Sequence, residues 1–138
     1  MRFISTKVHG IMDYLMGILL IASPWIFNFD NGGAETWVPV IVGIVMLLQA
    51  IMTNYEMGMM KTISMGTHLR MDFIAGLFLA ASPWIFGFSD TVWEPHVILG
   101  LMEVAASLMT RTVPTYAHTR NPVKTAVNDI TGNHHNRF

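Results

Sequence analysis

The sequence predicts an all-α fold: a four-transmembrane-helix bundle made of two parallel, tandem two-helix repeats, followed by a short amphipathic C-terminal helix. Three observations predict it. The composition is 52% hydrophobic and 12% charged, about half the roughly 25% charged share of a soluble domain, which leaves too little polar surface to coat the chain in water. Four apolar segments, at about 8–28, 37–54, 69–88 and 95–111, approach or reach the ~20 residues that a ~30 Å hydrocarbon layer requires of a helix. Two stretches also end alike: Ile21-Ala22-Ser23-Pro24-Trp25-Ile26-Phe27 and Ala80-Ala81-Ser82-Pro83-Trp84-Ile85-Phe86.

The first segment begins after Arg2 and Lys7, as a secretory signal would. It is expected to stay in the protein, because Asp13 interrupts its apolar core, a Pro-Trp pair ends it and no small-x-small cleavage site follows. The second segment is the clearest span. The third is an internal copy of the first. The fourth carries His96 and Glu103, yet it is the return crossing that the repeat demands. Backbone groups in lipid must be satisfied within their own segment, so all four are expected to be helices.

The repeat is explicit. His9, Asp13, Gly17, Ser23, Pro24, Trp25 and Phe29 match His68, Asp72, Gly76, Ser82, Pro83, Trp84 and Phe88 at a constant spacing of 59 residues. After a shorter second loop, Trp37 and Pro39 match Trp93 and Pro95, and Gly43, Met52 and Thr53 match Gly100, Met109 and Thr110. Two spans per unit give both copies one orientation, related by an axis along the membrane normal. The expected organisation is a first repeat at 1–54, a linker at 55–67, a second repeat at 68–112 and a polar tail at 113–138.

All 8 basic residues lie before span one, around the 55–70 connection or after span four, and none lies in the loops 29–36 and 89–93. Basic loops stay inside, so the expected location is the cell (inner) membrane, multi-pass, with both termini cytoplasmic. In the tail, Val123, Ala126, Val127 and Ile130 fall on one helical face between Asn121 as N-cap and Gly132 as stop. That segment is expected to lie on the membrane surface.

Each Ser-Pro-Trp element is expected to be structural. A proline within a helix clashes with the carbonyl four residues back, here Leu20 or Leu79, and the preceding serine can bond a freed carbonyl. The tryptophans, with Phe27 and Phe29 or Phe86 and Phe88, fit an outer interfacial belt. The doubled motif, each copy in the first helix of a two-helix unit, resembles the SPW-repeat family of small bacterial and archaeal membrane proteins over roughly residues 8–111. The resemblance implies tandem two-helix membrane repeats and supplies no reaction.

His9/Asp13 and His68/Asp72 place a histidine and an aspartate one helical turn apart on one face, near helix N-termini whose dipole favours the carboxylate. These four are expected to form a polar network with Arg70 or Lys7 that fixes the packing of helices one and three. The alternatives are a divalent metal site of two His and two Asp across the pseudo-twofold axis, a proton relay, or bis-His haem, which one histidine per helix disfavours. Glu103, opposite Met46 in the repeat, is expected to be protonated or hydrogen-bonded inward. His96 lies two turns from it, too far for direct contact.

Met57, Met59, Met60 and Met65 could suit Cu(I) but are expected to be apolar filler. His134 and His135 are expected to be tail composition. Gly10, Gly17 and Pro24, Gly43 and Ala50, Gly76 and Ala80, and Gly100 and Ser107 place small residues at helix-packing intervals, for a bundle too tight for a wide pore. The absence of cysteine removes disulfides and thiolate chemistry, and a net charge of −1 offers nucleic acid no field. The expectation is a non-enzyme without a cofactor, structural, accessory or partner-binding in role. Its partners would be the lipid bilayer and a second copy or another membrane protein. The alternative is a small transporter or ion- and proton-handling protein using the His/Asp pairs and Glu103.

Overall fold

A computed structural model of the chain describes residues 2–114. The amphipathic segment expected at 121–132, with His134 and His135, lies outside the described residues. Among the described residues the protein is all-helical: α1 (Thr6–Ile26), α2 (Ala34–Met52), α3 (Met65–Ile85) and α4 (Glu94–Met109), with no strand beyond two isolated bridge pairs.

The odd helices begin and end identically. Ser5 and Ser64 cap α1 and α3, their hydroxyls accepting from Val8 N and Thr67 N at 3.2 Å each, which satisfies one of the orphan donors of the first turn. Both helices therefore start earlier than their apolar runs at 8 and 69. At the other end Asn28 (φ 58°) and Gly87 (φ 71°) are left-handed, and Phe29 N and Phe88 N donate back to the carbonyls of Pro24 and Pro83 at 2.8 Å. This is a Schellman ending. The prolines sit in the last turn of each odd helix, where the Pro-Trp pair was expected to end the span. Each serine does what the sequence implied: Ser23 Oγ donates to Leu20 O at 2.9 Å and Ser82 Oγ to Leu79 O at 2.7 Å, the carbonyls that the prolines strand.

Packing is densest within two hairpins, α1 on α2 and α3 on α4. A methyl group on Gly43 would lie 2.7 Å from Gly17 O, one on Gly76 would lie 2.6 Å from Gly100 O, and one on Gly100 would lie 2.5 Å from Gly76 O. Each hairpin is thus closed by backbone against backbone, a contact that only glycine permits at that distance. Gly10 has a different task from the helix packing expected of it: a methyl there would overlap the Tyr55 ring at 2.1 Å, so it seats the α2–α3 connection.

Across the hairpins, Met16, Leu20, Val38, Val42, Met46, Leu79 and Leu99 form one apolar core. Beside it the connections cross over reciprocally. Ile4 N donates to Met109 O and Arg111 N to Ile4 O, both at 3.0 Å, while Asn54 N donates to Ile63 O at 2.7 Å and Ile63 N to Met52 O at 3.0 Å. The lead-in of each odd helix is therefore tied to the end of the even helix of the other hairpin.

Trp25, Phe27, Trp84 and Phe86 are exposed, as an interfacial belt requires. Phe29 and Phe88, expected in that belt, are instead buried on either side of His96, at ring separations of 5.2 and 4.9 Å. The Schellman turn that ends each odd helix directs these rings inward.

Gly100→Ala is expected to destabilise the protein by about 1–3 kcal/mol, the usual cost of overpacking, because its new methyl meets the Gly76 and Ala80 backbone. Gly66→Ala, which enters open space, should leave the thermal unfolding midpoint of the purified chain unchanged or raised.

Candidate functional site

Four ionisable side chains meet where the N-terminal turns of α1 and α3 come together, and all four are at most 2% exposed. The odd helices supply them: His9 and Asp13 from the first turns of α1, His68 and Asp72 from the first turns of α3. One ligand atom from each lies within 4.8 Å of all the others. His9 Nε2 is 3.0 Å from Asp72 Oδ2 and 3.2 Å from Asp13 Oδ1; His68 Nε2 is 3.0 Å from Asp13 Oδ2 and 3.1 Å from Asp72 Oδ2. Each imidazole thus serves the aspartate of its own helix and, at shorter range, that of the other hairpin. The two rings stand edge to face with centroids 5.4 Å apart.

The outer nitrogens are held by the even helices, again crosswise. His9 Nδ1 is 2.9 Å from Thr110 Oγ1 beyond α4, and His68 Nδ1 is 2.8 Å from Thr53 Oγ1 beyond α2. Each threonine hydroxyl donates to the carbonyl one turn back, Thr110 to Ala106 at 2.6 Å and Thr53 to Gln49 at 2.7 Å. A hydroxyl has one hydrogen. Having given it to a carbonyl, each threonine can only accept from the histidine, so Nδ1 carries a proton in both rings.

Gln49 donates to Asp72 Oδ1 and to the His68 carbonyl, and its amide nitrogen also lies 3.2 Å from His68 Nδ1. Tyr55 is fully buried, its ring 5.7 Å from that of His68, and among the described residues its hydroxyl has no hydrogen-bond partner. Burial, reinforced by the nearby Asp13 carboxylate, pushes the Tyr55 pKa up, so the phenol remains a neutral donor on the rim of the quartet.

The structure brings together four of the five expected polar-site residues and corrects their surroundings. Arg70 and Lys7 are exposed, and among the described residues neither is ion-paired with the quartet. Thr53, Thr110, Gln49 and Tyr55 occupy the places proposed for a cation. Thr53 and Thr110 already stand out as a matched polar pair in the repeat; Gln49 and Tyr55 have no such signal, since their repeat counterparts are Ala106 and Thr112.

Glu103 stays outside the quartet. It is buried where α4 crosses Gly76, and among the described residues its Oε2 has no hydrogen-bond partner. His96 is separate from it, as the spacing implied: its Nε2 lies 2.9 Å from the Glu35 carbonyl, between the two phenylalanines. The four loop methionines do not converge on one point. Met65 is buried with Tyr55 and Leu69, Met57 packs against that cluster, and Met59 and Met60 are exposed.

A family model for the SPW repeat domain matches residues 7–110. The chain belongs to the SPW repeat family. The match takes in all four helices and both Ser-Pro-Trp elements, so the serine–carbonyl bonds, the buried prolines and the outward tryptophans are the physical content of the motif that names the family. No curated protein and no solved structure matches the chain.

Removing one member of a buried ion pair costs about 3–5 kcal/mol, and Asp72→Asn is expected to lower stability on that scale. Glu103→Met installs the residue found at the repeat-equivalent position and removes an unpartnered polar atom worth about 1–3 kcal/mol; a raised unfolding midpoint is the expected result.

Proposed function

We propose that this SPW repeat protein is an integral membrane protein that crosses the bilayer four times as two tandem helical hairpins, both termini cytoplasmic. Its role in this reading is structural or accessory, without enzymatic chemistry. The observation that carries it is an inverted polarity. Leu15, Ile18, Ile41, Leu48, Ile74, Leu77, Ile98 and Leu101 are exposed, whereas His9, Asp13, Gln49, His68, Asp72 and Glu103 are buried. A water-soluble protein rarely exposes contiguous apolar surface on this scale, and ionisable groups within a bilayer face the bundle interior.

By length and composition two helices, Thr6–Ile26 and Ala34–Met52, are long and apolar enough to cross a membrane. α4 has 16 residues, about 24 Å of helix at 1.5 Å per residue, and α3 is diluted by His68, Arg70 and Asp72. In the proposed bundle the dilution is harmless, because His68 and Asp72 face inward and Arg70 lies near the cytoplasmic end. The crossed connections also support one common inner end: they gather Arg2, the 53–63 segment and Arg111 on one side, opposite Asp30 and Asp90.

Transport through the His/Asp pairs and Glu103 is not adopted, because the quartet side chains are engaged with one another and Glu103 is not among them. The exposed apolar faces suit lipid and a second copy or another membrane protein. Purification in mild detergent should return a defined oligomer or a stoichiometric partner, and a lone monomer throughout would count against the accessory role.

The natural chain has no cysteine, so single cysteines report topology without background. Asp30→Cys and Asp90→Cys should react with an impermeant maleimide in intact cells, and Met59→Cys only after the membrane is opened. Labelling of all three from outside, or recovery of the protein in the soluble fraction without detergent, would contradict the four-span reading.

A further inference from the structure

We infer that the quartet of His9, Asp13, His68 and Asp72 is a binding site for one divalent transition-metal ion of the zinc class, held by the two Nε2 atoms and one carboxylate oxygen from each aspartate. The inference rests on the geometry of the four side chains and is independent of whether the chain crosses a membrane.

The first support is distance. A tetrahedral ion with bonds of ~2.0–2.1 Å keeps its ligand atoms about 3.3 Å apart. Both Nε2 atoms lie 3.0–3.1 Å from Asp72 Oδ2, each lies 3.0–3.2 Å from one or the other oxygen of Asp13, and one ligand atom from each residue lies within 4.8 Å of the others, so a rotation of the Asp13 carboxylate with small side-chain shifts sets a cage of that size. The donors, two imidazoles and two carboxylates, suit zinc, cobalt and their neighbours.

The second support is the tautomer. Ligating histidines characteristically give their other N–H to a fixed acceptor, which orients the ring and presents a lone pair to the metal. Thr110 and Thr53 are such acceptors, each compelled to the role by its own bond to a backbone carbonyl. A neutral ring with its proton on Nδ1 aims the Nε2 lone pair at the carboxylates, where only a cation or a further proton is tolerable. Gln49 fixes Asp72 in the same way, and the buried Tyr55 hydroxyl lies beside Asp13.

The third support is charge. Two neutral imidazoles and two carboxylates leave −2 in a buried site. Two protons on the Nε2 atoms neutralise it, and so does one divalent ion. Binding is therefore an exchange: the ion enters, four metal–ligand bonds form, and the two Nε2 protons leave to solvent. Total charge in the site stays zero, as its burial demands, and affinity rises with pH because protons compete with the metal.

The test uses the full-length untagged chain and a His134→Ala/His135→Ala variant of it, each equilibrated with zinc or cobalt(II) and freed of excess ion. Both are expected to retain one ion per chain. The cobalt form should show the intense visible bands of four-coordinate Co(II), and calorimetry in buffers of different ionisation enthalpy should report two protons released per ion. Thr53→Val/Thr110→Val keeps every ligand atom and loses the orienting acceptors, so its affinity should fall about 10–100-fold. A chain that keeps no ion, a weak octahedral cobalt spectrum, or undiminished binding by the paired threonine variant or by Asp13→Asn/Asp72→Asn would overturn the site. Loss of metal binding with membrane insertion intact would leave the proposed topology standing.

Discussion

Cross-pairing of two histidines with two aspartates is the constraint on which the rest of the molecule depends. Each histidine pairs with the aspartate of its own helix, but His9 also reaches Asp72 and His68 reaches Asp13 at shorter range, so the full set of bonds needs the two hairpins at the right height and rotation. Buried ion pairs seldom add much net stability, because desolvation offsets the attraction. What they contribute is exclusivity: a slip of one turn between α1 and α3 breaks the cross-hairpin bonds and leaves each histidine only the aspartate of its own helix in an apolar interior. The threonines extend that constraint to all four helices, since Thr53 and Thr110 fix the ends of α2 and α4 to the same point.

Within each hairpin a different force operates. Gly17 against Gly43 and Gly76 against Gly100 bring backbones together, which maximises dispersion contacts without any polar side chain. In the bilayer proposed here, apolar side chains gain little by leaving lipid for protein. Close glycine crossings would then assemble each pair, and the quartet would select how the pairs meet. The Ser-Pro-Trp element serves the same design at the opposite end. It stops the odd helices cleanly, repairs the carbonyl that proline strands, and through the Schellman turn buries Phe29 and Phe88 around His96.

Much of this was legible in the sequence because it is written twice. Residues repeated at a fixed spacing had to occupy equivalent positions, which located the four helices, the His/Asp pairs and the serine–carbonyl bonds. What the sequence hid lay where the two copies differ or where partners are remote. Gln49 and Tyr55 face a different residue type in the second copy, Ala106 and Thr112, so nothing marks them until the α2–α3 connection folds under α1. Lys7 and Arg70 looked like natural counterions by proximity in sequence, yet helical phase turns both outward, and neutral hydroxyls and an amide take their place. The glycines were visible as small residues, but spacing along one helix could not say that Gly17 meets Gly43 while Gly10 meets a tyrosine.

The central claim, that the two hairpins are joined through reciprocal bonds between buried histidine and aspartate, is tested most directly by a double-mutant cycle. Unfolding free energies of His68→Gln, Asp13→Asn and the double variant give the coupling between side chains on different hairpins. A coupling above about 1 kcal/mol is predicted, in the range seen for residues in one ion-pair network. Effects that simply add, within about 0.5 kcal/mol, would contradict it.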